Sequence, residues 1–89
     1  MMTTIQALSK EQIKETIIDL LKTIAPEADY DGLNPDAKLQ ETLDIDSFDF
    51  LNLLIGLDEA VRVSVPESDY GQLVSLNDLV NYLAARMPA

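Results

Sequence analysis

Eighty-nine residues make one domain that buries roughly 60–65% of its unfolded surface and leaves little room for a deep enzyme cleft. Sixteen acidic residues against six basic give a net charge of −10, which opposes binding to nucleic acid or anionic membranes and suits partners with basic surfaces. With no cysteine and no histidine, a disulfide framework, a thiolate metal site, a cysteine nucleophile and the commonest general base are all excluded.

The apolar share is ordinary for a folded chain. Three glycines and four prolines supply few tight turns, so an all-α fold is favoured over a β-sandwich. No apolar run approaches the roughly 18 residues of a membrane span, and the N-terminus lacks the basic-then-apolar order of a signal peptide. A cytoplasmic protein, monomeric and without membrane insertion, is expected. The acidity also fits a plainer role, keeping a small protein soluble.

Residues 1–8 are expected to be a flexible arm. Ser9-Lys10-Glu11-Gln12 has the form of a capping box, with the Gln12 side chain reaching back to the Ser9 N–H. Ile13, Ile17, Leu20, Leu21 and Ile24 follow at helical spacing and form one apolar face. Pro26 stops this first helix at about Ala25.

Residues 26–46 form a long connection. Its acids are Glu27, Asp29, Asp31, Asp36, Glu41, Asp44 and Asp46, against the single cation Lys38. A loop this long packs or functions, and Leu33, Leu39 and Leu43 are the residues that would pin it. Asn34-Pro35-Asp36 suggests a turn, with room for a short helical turn after it. The acids do not fit an EF-hand: counted from Asp29 the third ligand position is Leu33, and from Asp44 it is Phe48, so no metal site is expected.

Leu43-Asp44-Ile45-Asp46-Ser47-Phe48 opens the second helix. Asp46 is a good N-cap, which makes Ser47 the first helical residue. Its hydroxyl would lie at the surface beside free backbone N–H groups and the positive end of the helix dipole, where a phosphate is held well. These six residues alone fit an ordinary capped helix better than a modification site.

The second helix runs from Ser47 to Val61 or Arg62, roughly 22–24 Å long. Its apolar residues include Phe48, Phe50, Leu51, Leu53, Leu54, Ile55, Leu57 and Val61, too many for one stripe. Such a helix either has neighbours on most sides or shows an apolar patch to a partner. Gly56 costs about 1 kcal/mol against Ala in a helix interior, and close approach of a neighbouring helix explains it better than room for a bound chain does.

Val63 to Pro66 reads as an extended link and residues 66–72 as one short helix. Ser75 caps the last helix, with Asp78 at the position a capping-box Glu would take. Leu76, Leu79, Val80 and Leu83 form its apolar face, flanked by Tyr82. Arg86 suits the C-terminal end of the helix dipole, and residues 87–89 are a tail.

Over residues 9–86 this order of elements resembles the acyl carrier protein family. The resemblance rests on Leu43 through Phe48, the acidic and apolar Asp49 to Arg62, and Val65-Pro66. It implies an acyl-carrier-like four-helix bundle with a long first loop and a short third helix. It implies that Ser47 carries 4′-phosphopantetheine donated by coenzyme A, with Asp46 helping to present the serine to a phosphopantetheinyl transferase. Acyl groups would then ride as thioesters on the thiol of the arm, which is how a chain without cysteine can take part in thiol chemistry. The protein itself would not be an enzyme; acyl-loading, condensing and acyl-transfer enzymes with basic surfaces would be its partners.

By the same resemblance Asp46, Asp49, Asp58 and Glu59 would meet Lys and Arg on those partners, with Phe48, Leu51 and Ile55 giving apolar contact. Ordinary core packing is the competing reading for Phe48 and Leu51. The chain departs from the family pattern at Asp44, where Gly is usual, at Phe48, usually Leu, and at Asn52, Arg62 and Ser64, where acids are common. A less acidic recognition helix points to a specialised fatty-acid, polyketide or secondary lipid pathway. An aminoacyl or peptidyl carrier and an unmodified helical interaction domain are the alternatives. The initial Met and short ends favour a discrete chain over a piece of a larger synthase.

Overall fold

A computed structural model describes residues 9–86; the expected arm 1–8 and tail 87–89 lie outside the described residues. The described residues form four α-helices and one 3₁₀ helix, with no β-strand among them.

Helix α1 (Lys10–Ile24) begins with the expected capping box: the Gln12 N–H donates to Ser9 Oγ at 3.1 Å and the Ser9 N–H donates to Gln12 Oε1 at 2.9 Å. Ile13, Ile17 and Leu21 are fully buried, while Leu20 and Ile24 flank them, partly buried. At the other end Tyr30 folds back, and its hydroxyl donates to the carbonyls of Ala25 (2.7 Å) and Leu21 (2.9 Å). Both carbonyls also accept a backbone N–H, from Ala28 and Ala25 respectively, so the tyrosine adds a second partner at the helix end.

The long connection is held by side chain–backbone bonds and a few apolar anchors. Asp29 Oδ1 accepts from the Asp31 and Gly32 N–H groups, and Asn34 Oδ1 accepts from the Asp36 N–H at 2.9 Å, which are Asx turns. Three bonds then tie the loop to the start of the last helix: Leu39 N–H to the Val74 carbonyl, Asn77 N–H to the Pro35 carbonyl and Asn77 Nδ2 to Asp36 Oδ1. The anticipated short turn is helix α2 (Leu39–Thr42). Leu39 and Leu43 are buried as expected, Leu33 only partly, and Ile45 is a further buried anchor.

Helix α3 (Ser47–Val61) sends Phe50, Leu53, Leu54, Leu57 and Val61 inward. A Cβ at Gly56 would lie 3.2 Å from Leu20 Cδ2, so close approach of α1 accounts for this glycine. Arg62 ends the helix in the left-handed region, φ 61°, a common way to close a helix. Val63 is buried in the link that follows. The expected short helix is a 3₁₀ helix, Glu67–Gln72.

Helix α4 (Leu76–Arg86) has its capping box built with aspartate. The Asp78 N–H donates to Ser75 Oγ, and Asp78 Oδ2 accepts from the N–H groups of Ser75 and Val74, all at 3.1 Å. Leu76, Leu79, Val80, Tyr82 and Leu83 are buried. Both α3 and α4 pack on α1, which makes α1 the spine of the bundle. Each fully buried Leu or Ile along these seams contributes about 1.5–3 kcal/mol.

Candidate functional site

The site begins with the turn between α2 and α3. Leu43 and Ile45 are both buried, and the residue between them, Asp44, takes φ 56°. Asp tolerates this left-handed conformation better than most residues. The Ile45 N–H donates to the Gln40 carbonyl at 3.0 Å, so the turn is fixed on both sides before α3 starts.

Asp46 is extended (φ −97°, ψ −178°), and its Oδ1 accepts from the Asp49 N–H at 2.8 Å. Its carbonyl accepts the first helical bond, from the Phe50 N–H at 3.0 Å. Ser47 is the first residue of α3 and is exposed. It stands where first-turn N–H groups and the helix dipole favour an anion. The cap answers the Asp49 N–H and leaves those of Ser47 and Phe48 pointing off the helix end.

Ser47 also lies on the wall of a cavity of about 360 Å³, lined by Gln40, Phe50, Leu51, Tyr70 and Gly71 as well. Farther along α3 a second cavity of about 230 Å³ is lined by Leu54, Ile55, Asp58, Ser64, Val65 and Tyr70. Tyr70 borders both, so together they form a groove between α3 and the 3₁₀ helix. A larger cavity, about 500 Å³, lies between Ile24–Ala28 and Thr42–Ile45, with Asp49 also on its wall, and does not include Ser47.

The outer face of α3 carries the remaining expected positions. Phe48 is 69% exposed, Ile55 50% and Leu51 36%, which removes the core reading for Phe48. Leu51 divides its surface between groove and solvent. Spaced at i, i+3 and i+7, the three side chains share a stripe. Asp46 and Asp49 sit at its Ser47 end, Asp49 half-buried. Asp58 and Glu59 are exposed about 16 Å away along the axis, at 1.5 Å per residue. The expected acids therefore form two groups, one at each end of an apolar stripe. Asp58 Oδ2 also accepts from the Ser64 hydroxyl at 3.2 Å. Helix α3 itself holds no Lys or Arg.

The sequence reading missed Gln40, Tyr70 and Gly71 as neighbours of Ser47. An aromatic residue in an otherwise polar short helix was the one available sign. No group of His, Cys, Asp or Glu suited to a metal ion occurs among the described residues, and no helix among them is long and apolar enough to cross a membrane.

An exposed hydroxyl, a helix start that favours an anion and an adjoining groove thus meet at Ser47. The family described as the phosphopantetheine attachment site matches residues 11–83. An acyl carrier protein of Campylobacter fetus is 32% identical over 73 residues, covering 82% of this chain and 88% of that protein. One from Campylobacter jejuni is 30% identical over the same shares of each chain. A mitochondrial acyl carrier protein of Saccharomyces cerevisiae is 27% identical over 85 residues, covering 92% of this chain and 68% of that one. The chain belongs to the acyl carrier protein family. Its cofactor is 4′-phosphopantetheine, borne covalently on a serine.

Proposed function

We propose that Ser47 is the attachment serine, and that the protein holds acyl intermediates as thioesters on the arm and presents them to partner enzymes. The observation that carries this is the exposed placement of Ser47 as first residue of α3, at the edge of the groove. The matched segment contains three other serines, Ser64, Ser68 and Ser75. Ser75 is buried and its hydroxyl caps α4. Ser64 donates to Asp58. Ser68 lies between Glu67 and Asp69 on a six-residue 3₁₀ helix, where a phosphodiester would meet two carboxylates.

In the attachment step Ser47 Oγ forms a bond to the phosphorus of coenzyme A that bears the pantetheine. The phosphoanhydride bond breaks, adenosine 3′,5′-bisphosphate leaves, and the serine proton passes to a base on the transferase. This chain has no histidine, and Asp46 Oδ1 is engaged by the Asp49 N–H. The role left to the protein is to hold the hydroxyl outward and to dock. Asp46, Asp49, Asp58 and Glu59 steer basic partners, while Phe48, Leu51 and Ile55 supply the apolar contact. Charges of this kind set register and encounter rate more than affinity.

Asn52, Arg62 and Ser64 stand on this surface where the family commonly has acids, and leave it less acidic. That supports a dedicated fatty-acid, polyketide or secondary lipid pathway over general fatty-acid synthesis. Equal turnover with a generic fatty-acid synthase and with that enzyme's own carrier would refute it.

The attachment is tested by intact mass after incubation with coenzyme A, magnesium and a broad-specificity phosphopantetheinyl transferase. A gain of one phosphopantetheine group, absent in Ser47→Ala, is expected. No gain, with a control carrier fully modified, would leave the stripe of Phe48, Leu51 and Ile55 as the docking face of an unmodified interaction domain.

A further inference from the structure

The 3₁₀ helix Glu67–Gln72 has no buried residue of its own, yet through Tyr70 it walls both cavities along α3. Short 3₁₀ segments have poor hydrogen-bond geometry, and regions with few buried contacts open locally. The bond that holds this one comes from α4. The Tyr82 hydroxyl donates to Asp69 Oδ2 at 2.5 Å. The Arg86 guanidinium lies 3.6 Å from the Tyr82 ring centroid and 3.7 Å from the same Asp69 oxygen. Tyr82 is buried on the face of α4 that meets the core, so Asp69 is held by a rigid element.

We propose that Asp69, Tyr82 and Arg86 form a latch that keeps the 3₁₀ helix against the bundle, and that its release widens the groove beside Ser47. The latch stands independently of the carrier reading; only the identity of what enters the groove rests on that reading. The segment's two ends are fixed elsewhere. Leu73 is buried where the 3₁₀ helix stops, and Val65 packs on the core before it starts. Between them only the partial burial of Tyr70 against the core holds the segment to the bundle, so once Asp69 lets go the part with Tyr70 and Gly71 has little left to keep it in place.

The three residues do not share the work equally. A hydroxyl donating to a carboxylate outranks a neutral bond. Arg86 is half exposed, and such ion pairs are weak and screened by salt. The Tyr82 pKa is raised above its ordinary value, first by the hydrogen bond to Asp69 and then by burial, with Arg86 opposing. The hydroxyl therefore keeps the proton that the latch needs.

Backbone amide hydrogen exchange on the full chain tests this, comparing Tyr82→Phe, which removes the donor, with Asp69→Ala, which removes the acceptor. The reporters are the Asp69 N–H, bonded to the Pro66 carbonyl, and the Leu73 N–H, bonded to the Tyr70 carbonyl. Both are expected to exchange about tenfold faster or more in each variant, as loss of a bond to a charged group implies. Amides in the middle of α1 should change only by the factor that urea unfolding of the same variant requires. Arg86→Gln should have a smaller effect than Tyr82→Phe. Unchanged exchange of the two reporters in either variant, or a rise matching that in α1, overturns the latch. Faster exchange confined to the segment in a protein that takes no phosphopantetheine would keep the latch and remove only its cargo.

Discussion

Asp46 has two roles that one set of substitutions separates. Its side chain caps α3 through the 2.8 Å bond from the Asp49 N–H, and its charge lies beside Ser47 at the positive end of the helix. Asp46→Ala removes both. Loss of an N-cap costs about 1 kcal/mol, and loss of a negative charge at the N-terminus costs about 0.3–1 kcal/mol more. A total near 1.5 kcal/mol is expected, which for a domain of this size lowers Tm by roughly 6–12 °C. Asp46→Asn keeps an oxygen able to accept from the Asp49 N–H. It loses the charge, and that loss is offset in part because repulsion from Asp44 and Asp49 falls. It should lie within about 0.5 kcal/mol of the parent. Urea unfolding measures the stabilities, and the rate of phosphopantetheine transfer measures presentation of Ser47. If Asp46 serves a basic partner, both variants should lose rate under conditions where all three proteins are folded. Equal destabilisation by Asn and Ala would refute the capping argument. A full rate with Asp46→Asn would refute the charge's part in docking.

Two further substitutions test the backbone around the site. Gly56→Ala gains about 1 kcal/mol of helix propensity but places a Cβ 3.2 Å from Leu20 Cδ2. Leu20 is only partly buried and can turn outward, so a net gain near 0.5 kcal/mol is expected in urea unfolding, while the bulkier Gly56→Val should lose about 1–3 kcal/mol through overpacking. A loss above 1 kcal/mol for the alanine variant would mean that Leu20 cannot move. At Asp44, with φ 56°, Asp44→Gly should raise stability by up to about 1 kcal/mol and Asp44→Val should lower it by about 1–2 kcal/mol; thermal melts giving the opposite order would refute the left-handed turn.

Features set by near neighbours in the chain were legible before the fold was known. Ser9 with Gln12, Asp46 with Asp49 and Ser75 with Asp78 each act across one helical turn, so the residues themselves announce where helices start. Long-range bonds were not legible. Tyr30 reaches back to Ala25 and Leu21, and Tyr82 bonds Asp69; neither follows from periodicity. Helix α3 shows the limit most directly. It is apolar around most of its circumference, so spacing alone does not say which residues point inward. The position of α1 decides it, taking Leu53 and Leu57 into the core and leaving Phe48 and Ile55 outside. The left-handed turn at Asp44 was equally hidden, because the burial of Leu43 and Ile45 on either side imposes it. Short helices also escaped finer description. Residues 66–72 read as a helix, but the 3₁₀ form is set by few contacts and weak bonds.

The acidity and the apolar stripe are best understood together. Three large side chains left in water on one helix face would ordinarily favour self-association. Two copies meeting by that face would bring Asp46, Asp49, Asp58 and Glu59 of each against those of the other, with Arg62 at the end of α3 the one cation beside them. Four acids against one cation leave the stripe disfavoured for a second copy by like charge, whereas a partner with basic residues at that spacing would meet attraction at both ends and apolar contact between them. The net charge of −10 adds a longer-range repulsion between copies that salt weakens. The helix can in this way leave Phe48, Leu51 and Ile55 exposed while its opposite face, from Phe50 to Val61, holds the bundle together.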